Sequence, residues 1–334
     1  MKAVGFKAPS PIDAAESLID LDLPKPVPTG RDLLVAVRAI SVNPVDTKVR
    51  ASRQPAEGQA EVIGWDAAGV VEAVGPEVTL FKVGDPVFYA GAINRPGSNA
   101  QFQLVDERIV GRKPASLSFP EAAALPLTAI TAWELLFDRL GATQESAGAL
   151  LVVGGAGGVG SVLIQLARQL TGLTVIATAS RPETRAWCLE LGAHHVVDHA
   201  GDLVAAVAAT GAGPVGLVAS LTNTTDHFPA LVEILAPQGR LGVIDDPKSL
   251  DALPLKWKSI SLHWEMMFTR SLHQTPDMIA QHHLLNAVAD LVDAGRLKTT
   301  VTQVLTPINA ANLKQAHAAV ESGRTRGKIV LEGF

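Results

Sequence analysis

The chain has 334 residues, of which 47% are hydrophobic and 18% are charged, and its formal net charge at pH 7 is −5. This composition is typical of a globular protein, the length allows two domains with separate cores, and the single cysteine excludes internal disulfide bonds. The mild negative charge gives no reason to expect nucleic acid or an anionic membrane as a partner, no segment approaches an uninterrupted membrane span, and we expect a cytoplasmic protein.

The first 125 residues contain short strand-like runs separated by glycine and proline. Their spacing is typical of an antiparallel, barrel-like β domain and not of alternating strands and helices. We therefore predict a β domain over residues 1–125. Its predicted strands cover residues 33–39, 69–74, 86–90 and 100–105.

From residue 126 onwards the pattern changes to a helix followed by strand–helix alternation. Six predicted strands in this rhythm indicate a doubly wound parallel sheet, which we assign to residues 126–270. Residues 271–334 are too few for a further domain, and we expect this C-terminal segment to return to the first domain. The six strands are predicted at residues 150–153, 174–179, 195–198, 215–220, 241–244 and 259–264.

A glycine-rich turn follows the first strand of this second domain. Gly155, Gly157 and Gly160 have the spacing G-x-G-x-x-G, with Gly158 and Val159 between the last two. An apolar strand before the turn and a helical pattern after it are the context in which this spacing binds a dinucleotide, because the helix N-terminus points its N–H groups at the pyrophosphate. The alternative is a tight strand–helix turn without a ligand.

The end of the second strand of this domain indicates which dinucleotide binds. An NAD site usually has Asp or Glu there, which accepts a hydrogen bond from the ribose 2′-hydroxyl. This chain has Ser180 and Arg181 instead. A hydroxyl and a planar, permanently charged guanidinium suit a 2′-phosphate, so we predict NADPH as the cofactor. The alternative for Arg181 is a solvated arginine at the start of a helix.

With these residues placed, the whole chain resembles the medium-chain dehydrogenase/reductase superfamily. The likeness is to its zinc-free quinone oxidoreductase branch, and there to bacterial zinc-type alcohol dehydrogenase-like proteins. It implies an α/β fold, with a GroES-like antiparallel β-barrel catalytic domain and a Rossmann doubly wound parallel sheet that binds the cofactor. The matching segments are residues 41–47, 64–75 and 83–87, the glycine-rich turn, and residues 327–331.

The resemblance also assigns positions to the zinc ligands of metal-dependent relatives. Asn43, Trp65 and Leu127 stand where those enzymes have Cys, His, and Cys or Asp. An indole and an aliphatic chain cannot coordinate zinc, and a neutral amide is a poor ligand. Val45 stands where the zinc enzymes have the hydroxyl that begins their proton relay. We therefore expect no metal.

Three residues are implied as catalytic by the resemblance. Asn43 matches an asparagine that faces the nicotinamide in quinone reductases and could donate its amide to the substrate oxygen; a turn residue before a proline is the alternative. Lys48 replaces a tyrosine of those enzymes and could contact the cofactor or the substrate; a surface lysine is the equal alternative. Trp65 is either an aromatic wall for a flat substrate or a core residue. His263 is a further acid–base candidate, although isolated strand histidines are usually structural.

The resemblance also implies cofactor contacts at scattered positions. Asn223 and Asp245 follow the fourth and fifth strands, at the carboxyl ends where the nicotinamide half should lie. Thr131 matches a threonine that packs against the nicotinamide. His199 and Arg324 match positions that contribute aromatic or basic contacts near the phosphate.

Together these features predict an NADPH-dependent, zinc-independent reductase that transfers hydride to quinones or α,β-unsaturated carbonyls. The expected partner is a small-molecule substrate, with no nucleic acid and no membrane. The resemblance further implies a homodimer that forms through the edge of the Rossmann sheet. Two alternatives stay open: a non-catalytic NADPH-binding protein, and an alcohol or aldehyde dehydrogenase, which the missing zinc ligands disfavour.

Overall fold

The computed structural model of the protein describes residues 1–334. Two compact units are present: one joins Met1–Leu127 to Phe268–Phe334, and the other is Thr128–Met267. Along the chain, the second unit is therefore inserted into the first, whereas the sequence placed the corresponding boundaries after residues 125 and 270. No helix combines the length and the apolar character that crossing a membrane requires.

The first unit is built on two β-sheets. A small antiparallel sheet has the order β2-β1-β4, and a larger sheet has the order β15-β16-β3-β5-β6-β8, with β7 also paired to β3. The pairs in the larger sheet are antiparallel except for β15 and β16. In chain order these strands are β1 (Lys2–Phe6), β2 (Ile19–Asp22), β3 (Asp32–Ser41), β4 (Glu61–Val62), β5 (Ala67–Val74), β6 (Pro86–Tyr89), β7 (Phe102–Asp106), β8 (Val110–Arg112), β15 (Val301–Leu305) and β16 (Lys328–Glu332).

Strand β3 is the centre of the larger sheet. Its ten residues, DLLVAVRAIS, are mostly apolar and buried, which suits a strand that packs on both faces. It pairs with three strands, β5, β7 and β16. The pairing with β16 sets Val330 opposite Ser41. The last strand of the chain therefore runs beside the segment that leads from β3 to Asn43.

Helix α1 (Pro44–Ser52) begins directly after Asn43. Asn43 is the N-cap residue in extended conformation, and Pro44 occupies the first turn, where its missing N–H costs nothing. The Asp46 carboxylate accepts a hydrogen bond from the Asn43 N–H at 2.5 Å and so closes the helix start. The other helices with residues in the first unit are α2 (Phe119–Ala123), α3 (Pro126–Trp133, which continues into the second unit), α8 (Thr269–His273), α9 (Ala280–Asp293) and α10 (Ala310–Glu321).

The second unit is a six-stranded sheet in which every pair is parallel. The strand order β11-β10-β9-β12-β13-β14 is that of a doubly wound sheet, and it confirms the predicted α/β fold. All five residues of β9 are buried, as expected for a parallel strand covered on both faces. Its elements are β9 (Ala149–Val153), α4 (Gly158–Leu170), β10 (Thr174–Thr178), α5 (Pro182–Glu190), β11 (His195–Val197), α6 (Leu203–Ala208), β12 (Val215–Ser220), α7 (Thr224–Ile234), β13 (Leu235–Val243) and β14 (Ser261–Trp264).

Candidate functional site

The glycine-rich turn joins β9 to α4 at the carboxyl edge of the parallel sheet. At two positions of this turn, only glycine leaves enough room for the neighbouring atoms. A Cβ atom on Gly160 would lie 2.5 Å from the Gly154 carbonyl oxygen, and one on Gly155 would lie 2.8 Å from the Ala177 Cβ atom. Side chains do not approach their neighbours that closely. Glycine at these two positions therefore lets the helix, the turn and the neighbouring strand pack together.

Gly157 has a different role in the same turn. It is the N-cap residue of the 13-residue helix α4 and offers no side chain to the first N–H groups of that helix. A Cβ atom on Gly157 would be 3.5 Å from its nearest neighbour, which is ordinary contact, so packing alone does not require glycine here. Gly157, Gly158 and Val159 are all partly exposed. This open helix N-terminus fits the pyrophosphate of a dinucleotide.

The segment after β10 presents the two residues that the sequence assigns to a 2′-phosphate. Ser180 is exposed, and Arg181 is the N-cap residue of α5. The Arg181 side chain is 40% exposed, and its Nε atom lies 3.3 Å from Glu183 Oε1. An ion pair this exposed contributes little to stability, so an anionic ligand can compete for the guanidinium.

Three more predicted cofactor residues lie beyond β11, β12 and β13 at the same edge of the sheet. The ring of His199 packs edge-on against His227 with 5.7 Å between centroids. Asn223 is exposed and is the N-cap residue of α7, with φ at 52°. Asp245 accepts hydrogen bonds from the backbone N–H (2.9 Å) and the hydroxyl of Thr224, so its carboxylate stabilises the start of α7. Contact of these residues with a cofactor stays a prediction.

The last two predicted cofactor residues stand on other elements of the chain. Thr131 is buried on α3, within the second unit. Arg324 is exposed in the loop between α10 and β16, within the first unit. Their cofactor contacts also stay predictions.

The first unit holds a buried polar group that we call the Asn43 cluster: Asn43, Asp46, Asp66 and Lys328. The Lys328 ammonium donates to the Val42 carbonyl oxygen at 3.0 Å, to Asp66 Oδ2 at 3.1 Å and to Asn43 Oδ1. Asn43 Nδ2 donates to Asp66 Oδ2 at 2.9 Å. The amide, the carboxylate and the ammonium are thus joined in one closed set of hydrogen bonds.

The two carboxyl groups of the Asn43 cluster have different surroundings. Asp66 Oδ1 accepts from the Leu127 N–H at 2.8 Å; burial raises the pKa of Asp66, and the Lys328 charge opposes that shift. Burial raises the pKa of Asp46 to about 7, against the hydrogen bond from the Asn43 N–H, and Asp46 Oδ1 has no hydrogen-bond partner. The cluster therefore holds one cation and a carboxyl group that titrates near neutral pH.

The other two predicted catalytic residues differ in exposure. Trp65 is fully buried; its Nε1 donates to the Ala92 carbonyl oxygen at 3.2 Å, and its rings pack edge-on against Phe268 with 6.0 Å between centroids. This is the arrangement of a core residue, the second interpretation given for Trp65. Lys48 is exposed on α1. Contact of either residue with a substrate stays a prediction.

The residues at the positions of the family's catalytic zinc do not fit that ion. Position 43 offers an amide, position 65 an indole that donates to Ala92, and position 127 a backbone N–H. The oxygens that converge, Asn43 Oδ1 and Asp66 Oδ2, are already bonded to the Lys328 ammonium. Zinc prefers sulfur and nitrogen ligands, and no three His, Cys, Asp or Glu side chains form a metal-binding group.

Sequence reasoning missed the roles of Asp46, Asp66 and Lys328, as well as a second buried acidic pair. Glu134 and Glu265 are both buried in the second unit, where Glu134 begins a π-helical segment, Glu134–Arg139, that continues α3. Glu265 Oε2 accepts from Arg139 Nε at 2.7 Å, and burial together with Glu134 raises the pKa of Glu265 to about 8. The signal in the sequence that could have indicated these residues is a charged residue beside an apolar strand or helix.

Comparison with known proteins gives the family. Residues 29–115 match the alcohol dehydrogenase GroES-like domain, and residues 191–331 match the zinc-binding dehydrogenase family. The chain is 43% identical over 339 residues to a zinc-type alcohol dehydrogenase-like protein of Staphylococcus aureus, covering 99% of both chains. It is 38% identical over 181 residues to the quinone oxidoreductase of Mus musculus, covering 53% of each. The chain belongs to the medium-chain dehydrogenase/reductase superfamily, as the resemblance predicted.

Solved structures agree with this assignment. A Rhizobium etli protein described as a candidate zinc-dependent alcohol dehydrogenase superposes with a TM-score of 0.98 at 60% identity, covering 100% of this chain and 98% of that one. A mycobacterial protein solved in complex with NADPH superposes with a TM-score of 0.85 at 28% identity, covering 99% of this chain and 100% of that one. The protein is an oxidoreductase with a nicotinamide cofactor site.

Proposed function

We propose that the protein is an NADPH-dependent reductase of quinones or α,β-unsaturated carbonyls that needs no zinc. The observation that carries the proposal is the Asn43 cluster, in which an ammonium bonds the oxygens that would otherwise face a metal. Alcohol oxidation needs a group that acidifies the substrate hydroxyl. A quinone or enone already has an electrophilic carbon, so hydrogen-bond donors to its oxygen suffice. The similarity to mouse quinone oxidoreductase supports the same class of substrate.

The cofactor would be held at the carboxyl edge of the parallel sheet. The backbone N–H groups of residues 157–160, at the start of α4, would bind the pyrophosphate, and Arg181 would bind the 2′-phosphate. Reduced nicotinamide, when bound, supplies the hydride. On the substrate side, Asn43 would donate a hydrogen bond to the oxygen of the acceptor, and Lys48 is the exposed candidate for a further contact.

The proposal is tested by stopped-flow oxidation of NADPH with 1,2- and 1,4-quinones and with 2-alkenals, each with and without a chelator. We expect turnover that the chelator does not change. Binding of NADPH without turnover of any acceptor would contradict the proposal and favour a non-catalytic NADPH-binding protein. Alcohol oxidation that the chelator abolishes would contradict the zinc-independent mechanism.

Arg181→Ala should raise the KM for NADPH by roughly tenfold to a hundredfold, because a charge-assisted hydrogen bond to the 2′-phosphate is lost. The KM for NADH should change little, since NADH has a hydroxyl there. Glu183→Gln is the matched control: it removes the negative charge that competes with the 2′-phosphate for Arg181 and should lower the KM for NADPH by about twofold. Steady-state kinetics with both cofactors measures this. Equal effects of Arg181→Ala on NADPH and NADH would remove the assignment.

A homodimer is proposed through β14, the edge strand of the parallel sheet. Trp264 on this strand is 52% exposed and Met266 beyond it is 46% exposed, although unpartnered edges usually carry charges. Trp264→Lys should convert the dimer to a monomer in sedimentation velocity. Leu189→Lys, at the same 52% exposure on α5, should leave it a dimer. A wild-type monomer would contradict the proposal.

We further propose that the enzyme works in the cytoplasm, where an NADPH supply is maintained.

A further inference from the structure

We propose that Lys328 is a positioning residue for the reduction: its ammonium is the resident cation of the Asn43 cluster, and it holds the Asn43 amide in the orientation that donates a hydrogen bond to the substrate oxygen. The catalytic part of this inference rests on the proposed function. Its structural part, the action of Lys328 on Asn43, is tested separately.

Lys328 has no hydrogen-bonding capacity left for a substrate. It is 3% exposed, and its three N–H groups have three acceptors, of which two are side-chain oxygens of Asn43 and Asp66. A buried ammonium is stable only when it is paired and fully hydrogen-bonded, and this one is both. Lys328 can therefore influence the reaction only through the groups that it bonds.

The ammonium decides which end of the Asn43 amide faces which neighbour. Asn43 Oδ1 accepts from Lys328, and one Nδ2 hydrogen is donated to Asp66. A flipped amide would turn its NH₂ group towards the ammonium and its oxygen towards the carboxylate, and both contacts are repulsive. The charge pair formed by Lys328 and Asp66 thus permits one orientation of the amide.

One N–H of Asn43 is held only weakly. Apart from Asp66, the acceptors near Asn43 Nδ2 are the carbonyl oxygens of Trp65 at 3.3 Å and Ser41 at 3.4 Å, which are long distances for an N–H···O hydrogen bond. Although Asn43 is itself 1% exposed, a substrate oxygen that reaches this second N–H displaces only these two long contacts.

The Lys328 charge also makes this N–H a stronger donor. Hydrogen bonds in a chain polarise one another, and the positively charged ammonium that donates to Oδ1 draws electron density away from Nδ2. Negative charge develops on the acceptor oxygen as hydride reaches the conjugated carbon. A stronger donor at that oxygen stabilises the transition state more than the bound substrate and so raises kcat.

The test compares four variants with the wild-type holoenzyme. Lys328→Met removes the charge and should lower kcat by about tenfold, or ~1.4 kcal/mol, with little change in the KM for NADPH. Lys328→Arg keeps the charge and should recover most of the lost kcat. Because Lys328→Met leaves Asp66 unpaired and can fail to fold, the neutral pair Asp66→Asn/Lys328→Met gives the same test without a buried lone charge. Lys258→Met is the control, since the Lys258 ammonium in the second unit also donates three hydrogen bonds, all of them to carbonyl oxygens.

A second measurement does not depend on turnover. The side-chain amide signals of Asn43 in ¹H–¹⁵N spectra, assigned by their loss in Asn43→Asp, should move upfield in both variants that lack the Lys328 charge and stay near the wild-type position in Lys328→Arg and Lys258→Met. Signals that stay in place when the charge is removed would overturn the inference. So would wild-type kcat in a folded variant that lacks the Lys328 charge.

The outcomes separate the two proposals. If the wild type reduces quinones or enones but the variants without the Lys328 charge do so equally well, the role of Lys328 is wrong and the proposed function stands. If the wild type turns over no acceptor while the Asn43 signals shift as expected, the proposed function is wrong and Lys328 still orients Asn43.

Discussion

Replacing Gly157 by alanine is expected to weaken NADPH binding about a hundredfold without lowering the melting temperature. The new Cβ atom has room in the unliganded fold, with 3.5 Å to its nearest neighbour. The methyl group would instead stand at the N-terminus of α4, where the pyrophosphate must approach the backbone. Fluorescence titration with NADPH and a thermal melt of the unliganded protein measure the two effects.

Two other glycines provide the controls for Gly157→Ala. Gly160→Ala should lower the melting temperature as well as the affinity, because its Cβ atom would lie 2.5 Å from a backbone oxygen. Gly216→Ala, on β12 with no atom within 4 Å of the added carbon, should change neither. If Gly157→Ala binds NADPH as tightly as the wild type, the start of α4 is not the pyrophosphate site.

The second large effect is expected in the pH dependence of the free energy of unfolding. Glu265 has its pKa raised from 4.5 to about 8, so the folded protein keeps a proton that the unfolded chain releases between these values. The contribution of Glu265 to the free energy of unfolding is therefore fully present below the unfolded pKa. It falls as the pH rises, by ~1.4 kcal/mol for each pH step of one in this window. Glu265→Gln cannot ionise and should be more stable than the wild type at pH 8.5 and similar to it at pH 5.

Urea unfolding at several pH values checks the prediction for Glu265. Asp46, whose pKa is about 7, also makes the free energy of unfolding fall as the pH rises, but only up to about neutral pH. Because Asp46 is the same in both proteins, the difference between wild type and Glu265→Gln reports on Glu265 alone. Glu145→Gln, at an exposed position, should leave the pH profile unchanged. Parallel profiles for wild type and Glu265→Gln would show that Glu265 does not titrate in this range.

Local patterns in the sequence were enough to predict the fold and the dinucleotide turn. The apolar run before Gly154, the glycine spacing and the helical pattern after it are all contained in about twenty residues, and the structure has β9, the turn and α4 there. The six parallel strands follow from the same kind of local signal repeated along the chain. Each of these signals needs only residues that are close in sequence.

The Asn43 cluster could not be predicted in the same way. Asp66 and Lys328 are 262 residues apart, and both stand in segments that carried the family resemblance, yet neither segment shows that the two side chains meet. Their contact depends on how β16 pairs with β3, which is a property of the tertiary fold. The pairing of Glu134 with Glu265 escapes notice for the same reason, because each looks like an ordinary surface carboxylate when read alone.

The pairing of β16 with β3 has a consequence for how the protein is made. A ribosome delivers Asp66 and the exposed flank of β3 early, then the whole of the second unit, and only afterwards the strand that carries Lys328. Until then, in the nascent first unit, Asp66 lacks its counter-ion Lys328 and β3 lacks its partner strand β16. The inserted unit is under no such constraint and can complete its own sheet first. The first unit is therefore the part of the chain whose sheet is completed last.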